Sequence, residues 1–473
     1  MQQLKKIAQN TLIQVVGKAM VIAIALIGFG MMTRYLGQEG YGYFATIYAY
    51  LAVFGILVDL GLQMTTTKLI SDPQEDETKI ISNVLAIRLI TSLLFLSFAV
   101  LLALLMPYPG MVKLGMVIAI AGFTAAALTS VLTSYFQKNL IMGQAVAAEV
   151  SGKLAYLVLT ILAIQYDLGL LGILVAAILD SVIVFILTYK LVRQKIRIKF
   201  AFDSQVWQKI LIATWPIGIT IALNLIYFKG DIFIMSLVRT PQEVGLYAAP
   251  YKILEVLINI AYLFLGLILP LMSTAAAVNG IAALKKIIQV SFNFLIIMSL
   301  PMIVGGYFLG EQLMIMVSGP DFAISGQIIK ILFLATATIF IASLFGYAIV
   351  ALGLQKKMIK FYAINAALSI IGYLVAIELF GYWGAAWMTV VTELFTLISA
   401  AYILHQKINF LPDLKTFLKS TIACLIMAVG LYLLPEPNLT TAVPLGALVY
   451  FVSLYLLKGF DKKTISEITA IQQ

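Results

Sequence analysis

Cysteine and histidine are almost missing from this chain: its 473 residues include one of each, Cys424 and His405. A single thiol cannot build a disulfide framework, and the two residues together are too few soft ligands for a zinc or iron centre. One histidine also restricts general acid–base chemistry, and no nucleophile, base and orienting group stand at a readable spacing. Charge is scarce as well, at 11% Asp, Glu, Lys and Arg against about 25% in soluble domains. A GxxxxGK[ST] phosphate loop is lacking, so no energy from nucleotide hydrolysis is expected. Long polar stretches are lacking too, which leaves no room for a folded domain outside the apolar segments. No catalytic residue, metal or cofactor is expected.

What the chain has in quantity is apolar sequence, 62% of its residues, with a mean hydropathy of +1.04. The apolar runs last roughly 20 residues or more, the length of a membrane-crossing helix, where barrel strands would alternate over about 10. The fold class is therefore an all-α polytopic membrane protein. MQQLKKIAQN and the apolar stretch to Met32 are too long for a signal-peptide core and lack a small-residue cleavage site, so they are read as the first span. Polar and Gly/Pro punctuation places fourteen spans near residues 10–34, 42–66, 80–106, 114–137, 143–165, 168–190, 210–238, 244–272, 287–309, 325–353, 358–379, 382–404, 415–434 and 441–457.

The basic residues test that count independently. With the N-terminus in the cytoplasm, 22 of the 31 Lys and Arg fall in inner segments, three (Arg34, Lys113, Arg239) in outer loops and six within spans. A missed span in the middle would erase this asymmetry, so both termini are placed inside. The net charge of +10 thus lies along inner loops rather than on a face that nucleic acid could reach, and no nucleic-acid partner is expected. The largest basic cluster, YKLVRQKIRIKF (Tyr189 to Phe200), reads as a linker touching anionic lipid, and SDPQEDET (Ser71 to Thr78) as a solvated loop.

An internal repeat organises the spans. QEGYGYFA (Gln38 to Ala45) returns as QEVGLYAA (Gln242 to Ala249), and GLLGILVAAILD (Gly169 to Asp180) as GYWGAAWMTVVTE (Gly381 to Glu393). FQKN (Phe136 to Asn139) is echoed by LQKK (Leu354 to Lys357). Spans one to six therefore repeat as seven to twelve, and because six is even the two copies are parallel. The expected organisation is a six-helix bundle over 1–192, a basic cytoplasmic linker over 193–209, a second bundle over 210–404, and two further spans with a cytoplasmic tail over 405–473. Two such bundles around a central cavity make an alternating-access architecture.

Charges inside the spans are the candidate functional residues, since each is unfavourable in lipid by about 2.5 to 3.5 kcal/mol even on the lenient insertion scale. The cations are Lys18, Arg88, Lys153, Lys229, Lys252 and Lys330, and the acids Asp59, Glu149, Asp180, Asp231, Glu255 and Glu393. Glu149 and Lys153 are four apart and Lys252 and Glu255 three apart, so each pair can neutralise itself on one helix face. Lys229 and Asp231 are about 200° apart around a helix and cannot. They either find separate partners, reach water where Gly230 opens the helix, or, for Lys229, snorkel to the outer interface. Asp180 and Glu393 lie near midspan with no partner on their own helix. Together with Asp59 and Glu255 they are the candidates for exchanging a coupling ion, H⁺ or Na⁺.

RYLGQEGYGYF (Arg34 to Phe44), DLGL (Asp59 to Leu62), YFKGD (Tyr227 to Asp231), VSGPDFA (Val317 to Ala323) and GYWGAAW (Gly381 to Trp387) follow one another along nearly the whole chain. In that order they resemble the polysaccharide transporter, O-antigen flippase type of the multidrug/oligosaccharidyl-lipid/polysaccharide (MOP) exporter superfamily. The resemblance implies an alternating-access flippase that turns over oligosaccharides linked to polyprenyl pyrophosphate. It also implies a prokaryotic cytoplasmic membrane, with lipid and glycan-assembly proteins as partners. For such a substrate Arg34, Arg88, Lys153, Lys229 and Lys252 are candidate phosphate contacts, with Asp231 orienting Lys229 or a neighbouring cation. Cation-coupled drug export and flipping of a peptidoglycan precursor are the alternatives within the superfamily. A membrane glycan polymerase or transferase is the alternative outside it, and the lack of a large outer loop or acidic metal motif speaks against that.

Overall fold

The computed structural model describes residues 2–434 and 438–459; the side chains of 2–12, 216–217, 219–229 and 279 lie outside the described part. Among the described residues there are thirteen α-helices and no strands. Internal contacts divide the chain into two compact units, Met1–Gly245 and Leu246–Gln473.

The first unit contains α1 (Gln2–Asp59), α2 (Leu62–Ile70), α3 (Glu77–Leu104), α4 (Gly110–Lys138), α5 (Met142–Gln165), α6 (Gly169–Arg193) and α7 (Ser204–Val238). The 58 residues of α1 would reach about 87 Å if straight, nearly three times the hydrocarbon thickness of about 30 Å. It is two spans, parted at Gly37 by a φ of 64° and ψ of −173° that side chains avoid. The second of these breaks again at Leu60 and Gly61, with φ of 41° and 83°, and resumes as α2. Because α7 packs on α1, α2 and α3, it groups with this unit.

The second unit begins five residues into α8 (Pro241–Thr274) and continues through α9 (Gly280–Ser318), α10 (Ser325–Ala351), α11 (Gln355–Ile408), α12 (Lys415–Tyr432) and α13 (Leu439–Leu456). α11 also counts as two spans, parted at Gly381 (φ 57°). Among the described residues eleven helices are long and apolar enough to cross a membrane. α1 with α2, and α11, each supply one crossing more, and the 35-residue α7 supplies the last. The result is the fourteen expected from hydropathy, in a multi-pass membrane protein.

Backbone geometry carries the repeat. Gly169 and Gly381, the first glycines of the two GxxG copies, both have positive φ, 60° and 57°. The second glycines, Gly172 and Gly384, both leave no room for a Cβ, which would overlap Leu168 in one case and the Ala376 carbonyl in the other. The motif is thus a left-handed turn followed by a close contact with the preceding segment, made once per half.

Apolar side chains fill each unit. Ile81, Val84, Leu85, Val131, Leu132 and Phe136 form one core of the first, and Ile47, Leu51, Val112, Met116 and Leu174 belong to another. Leu265, Leu284, Ile288, Leu344 and Leu404 anchor the second unit. α12 and α13 pack on α9 through a separate cluster that contains the buried Cys424, while His405 is exposed in the last turn of α11.

The connections are fixed by caps. Asp76 accepts the Lys79 amide at the start of α3, and Asp203 accepts the Gln205 and Val206 amides at the start of α7. The basic linker is tied to α3: Ser82 accepts from the amides of Lys199 (3.2 Å) and Ala201 (3.3 Å), and Asn83 from that of Asp203 (2.8 Å). Lys79 pairs with Asp203 at 2.7 Å, and that hydrogen bond, before the helix amides, holds the Asp203 carboxyl below its ordinary range.

Candidate functional site

The span-embedded charges of the first unit are brought together between helices. Arg88, on α3 and 1% exposed, donates to the Val58 carbonyl (2.5 Å), the Asp59 carboxylate and the Ser130 hydroxyl (3.0 Å). The cause is local. The turn at Leu60–Gly61 ends α1, whose last carbonyls then lack helical donors, and a guanidinium fork serves carbonyl and carboxylate together. A cavity of about 210 Å³ lies beside this clamp, lined by Asp59, Gln63, Arg88, Phe123 and Ser130 among others.

A second cavity, of about 200 Å³, is lined by Val21, Thr129, Glu149, Lys153, Asp180 and Ser181, and shares Ala126 with the first. Two ion pairs meet there: Lys18 of α1 donates to Glu149 of α5 at 2.5 Å, and Lys153 of α5 donates to Asp180 of α6. The spacing of Glu149 and Lys153 allowed a pair within α5, but each takes a partner from another helix instead. Lys153 also stands 5.6 Å from the centre of the Tyr156 ring. Asp180 is 8% exposed, and its Oδ1 has no hydrogen-bond partner.

The second unit treats its acids differently. Lys252 and Glu255 pair along α8 at 3.0 Å, as their spacing predicts, with Lys252 exposed. Glu393 is 4% exposed, and among the described residues no basic side chain pairs with it. Tyr262 of α8 and Tyr362 of α11 lie within its electrostatic reach. Along the same face, Asn365 donates to the Thr392 carbonyl (3.2 Å) and the Thr396 hydroxyl (3.0 Å), while its own Oδ1 has no partner. One turn further, Thr389 is hydrogen-bonded to both Tyr247 and Tyr373, each at 3.1 Å.

Of the remaining candidates, Arg34 is exposed, one turn before the Gly37 break. Asp231 is fully buried and accepts the Ile232 amide at 2.8 Å. α7 runs through Gly230 without a break, so the helix does not open there. The side chain of Lys229 lies outside the described residues. Lys330 stands 4.9 Å from the centre of the Tyr307 ring. No group of three His, Cys, Asp or Glu able to hold a metal occurs among the described residues.

The acids and cations stand out in the sequence as charges within apolar runs, whereas the polar residues beside them do not. Thr129 and Ser130 belong to a hydroxyl-rich stretch of α4 with Thr133 and Ser134, and Ser181 follows Asp180, so nothing in the sequence marks which of these hydroxyls face the charges. Asn365 is a single amide in an apolar stretch of α11, where the polar residue at helical spacing, Ser369, bonds only its backbone carbonyl. The nearest signal is the row Thr389, Thr392, Thr396, three and four apart on one face of the second half of α11.

Residues 7–276 match the family model described as polysaccharide biosynthesis protein, and a search of curated proteins returned no match. Among solved structures, the chain resembles the lipid II flippase MurJ in an inward closed conformation, with a TM-score of 0.79 and 16% identity over 93% of this chain and 98% of that one. An inward-facing multidrug resistance MATE family transporter of the MOP superfamily gives 0.62 at 15% identity, covering 82% and 94%. A MOP superfamily transporter from Pyrococcus furiosus, noted for the reverse polarity of its binding pocket, gives 0.57 at 13% identity, covering 86% and 96%. At such identities the likeness is one of fold.

Proposed function

The chain belongs to the polysaccharide biosynthesis protein family, and on that premise we propose that it is an alternating-access flippase for polyprenyl-pyrophosphate-linked oligosaccharide in a prokaryotic cytoplasmic membrane. The division into repeat bundles over 1–192 and 210–404, with both termini cytoplasmic, is part of this reading. The observation that carries it is the pair of adjoining cavities in the first unit, lined by charges of both signs and by hydroxyls. Buried charge of this kind is retained where a polar cargo must pass, and a glycan on a pyrophosphate is such a cargo. The prenyl tail needs no site of its own, because it can remain in lipid.

The pyrophosphate needs cations. Arg88 and Lys153 are already held by Asp59 and Asp180, so in this reading they reach phosphate only by releasing those acids. Arg34 and Lys252 are exposed and are the more accessible candidates, and Lys229 is kept as a candidate from its place in the sequence. Glu393 supports ion coupling, since a buried carboxyl without a basic partner is balanced by taking up H⁺ or Na⁺. The same feature supports the second reading, cation-coupled drug export.

Cells deleted for the gene separate the two. Loss of surface glycan with build-up of its lipid-linked precursor on the inner leaflet, restored by the wild-type chain, is the expected result. Unchanged glycan delivery together with drug sensitivity would overturn the flippase reading.

A further inference from the structure

The cavity between α1, α4, α5 and α6 differs from an anion site in one respect: its cations are spent. Lys18 is bonded to Glu149 and Lys153 to Asp180, so a phosphate entering there would have to displace two carboxylates and leave them unpaired in the span. A neutral, hydroxyl-rich ligand needs no such exchange. It finds the carboxylates of Glu149 and Asp180 in the cavity wall as acceptors, Asp180 being 8% exposed with an Oδ1 that has no hydrogen-bond partner. Lysine ammonium groups have three hydrogens each, of which the carboxylate partner uses one. Ser181 and Thr129 line the same wall, and because the Thr129 hydroxyl donates to the Ala125 carbonyl (2.9 Å), its lone pairs are left to accept. The volume, about 200 Å³, lies below the roughly 300 Å³ at which pockets for drug-sized ligands begin. It is several times the roughly 30 Å³ that one water occupies in the liquid. A single six-membered sugar ring fits between those limits.

We propose that this pocket reads one sugar of the glycan: Asp180 and the flanking Glu149 accept from ring hydroxyls, and Lys153, Thr129 and Ser181 complete the pattern. The pocket is a determinant of sugar specificity, separate from the residues that hold pyrophosphate, and it rests on the flippase reading. A site built to bond a hydroxyl discriminates strongly against a ligand that lacks it, because the buried polar groups are then left unpaired.

The test uses the full-length protein in proteoliposomes and prenyl diphosphates of one tail length. These carry either no sugar or one of glucose, galactose, mannose, rhamnose, N-acetylglucosamine and N-acetylgalactosamine. The readout is the ratio of flipping rates, sugar-bearing over bare. Wild type is expected to move at least one sugar-bearing probe about tenfold faster than the bare one, a factor that corresponds to about 1.4 kcal/mol. Thr129→Val, Ser181→Ala and Asp180→Asn should each bring that ratio close to one, and Thr129→Ser, which keeps the hydroxyl, should retain it. Equal slowing of both probes marks a structural role and overturns the proposal. So does a wild type without sugar preference, or a ratio unmoved by the variants, as in a pocket that holds only water. If wild type moves none of the probes, the flippase reading itself fails and the proposal with it.

Discussion

In the first unit Asp59, Glu149 and Asp180 each face a cation from another helix, whereas in the second Glu393 is buried like Asp180 and, among the described residues, pairs with no basic side chain. The two acids stand at related places in the repeat, eleven and twelve residues after Gly169 and Gly381. One sequence pattern therefore stands in two different surroundings. A paired acid fixes helices and needs no further charge. An unpaired one is the kind of group that a proton or a metal cation balances, which is why the proposed function gives ion coupling to the second half and the polar cargo to the first.

The largest effect is expected at the clamp of the first unit. Arg88→Ala removes a fully buried cation from Asp59, Val58 and Ser130, and breaking such a pair from one side costs about 3 to 5 kcal/mol. Membrane abundance and thermal midpoint should both fall, and adding Asp59→Asn should recover part of the loss. An Arg88→Ala protein as stable as wild type would show that the pair is not structural.

Next comes the contrast itself. Asp180→Asn leaves Lys153 without its carboxylate and should destabilise by about 1 to 3 kcal/mol. Glu393→Gln removes a charge that has no partner, and should keep full abundance while losing the dependence of transport on an ion gradient. Comparable destabilisation by the two substitutions, measured by thermal shift in detergent, would erase the distinction between the units.

A smaller effect concerns Asp231 and Lys229. Asp231→Ala should lower abundance, because a buried acid bonded to its neighbour's amide is lost from α7. Lys229→Ala should impair glycan delivery at normal abundance. Full delivery in Lys229→Ala would place this lysine at the interface, where it contributes little.

The smallest effect lies outside the spans, at Asp203. Lys79 and the amides at the start of α7 hold its carboxyl below the ordinary range. Its contribution to stability is therefore complete above the unfolded value near 3.8 and fades as pH falls through the lower folded one. Between pH 5 and 8 Asp203→Asn should show a constant small deficit against wild type, narrowing only below about pH 4. A deficit that varies across the neutral range would point to another titrating group.

Much of this architecture could be read from the sequence. Span number and the repeat follow from hydropathy and from Gly, Gln and Tyr at fixed intervals, properties that each segment carries alone. The GxxG motif even located the two turns, since glycine is the residue that takes a φ near 60° freely. Partner choice was not readable in the same way. Glu149 had Lys153 one turn away, yet it pairs with Lys18, 131 positions earlier, because helix packing rather than spacing decides which side chains meet. The Leu60–Gly61 break and its dependence on Arg88 were hidden for a similar reason: DLGL shows a glycine, but the guanidinium that replaces the lost helical donors comes from the next helix. Asn365 left no trace at all, being one amide in an apolar run.

The most direct test of the account is gradient-driven flipping by the purified protein. Wild type and Glu393→Gln are reconstituted in liposomes with a prenyl diphosphate bearing the cell's own repeat unit, and the accumulation of probe in one leaflet is followed after a proton or sodium gradient is imposed. Wild type is expected to show net accumulation that reverses with the gradient, and Glu393→Gln to equilibrate the probe between leaflets whatever the gradient. Gradient-driven accumulation that persists in Glu393→Gln, or none in wild type with either ion, would contradict it.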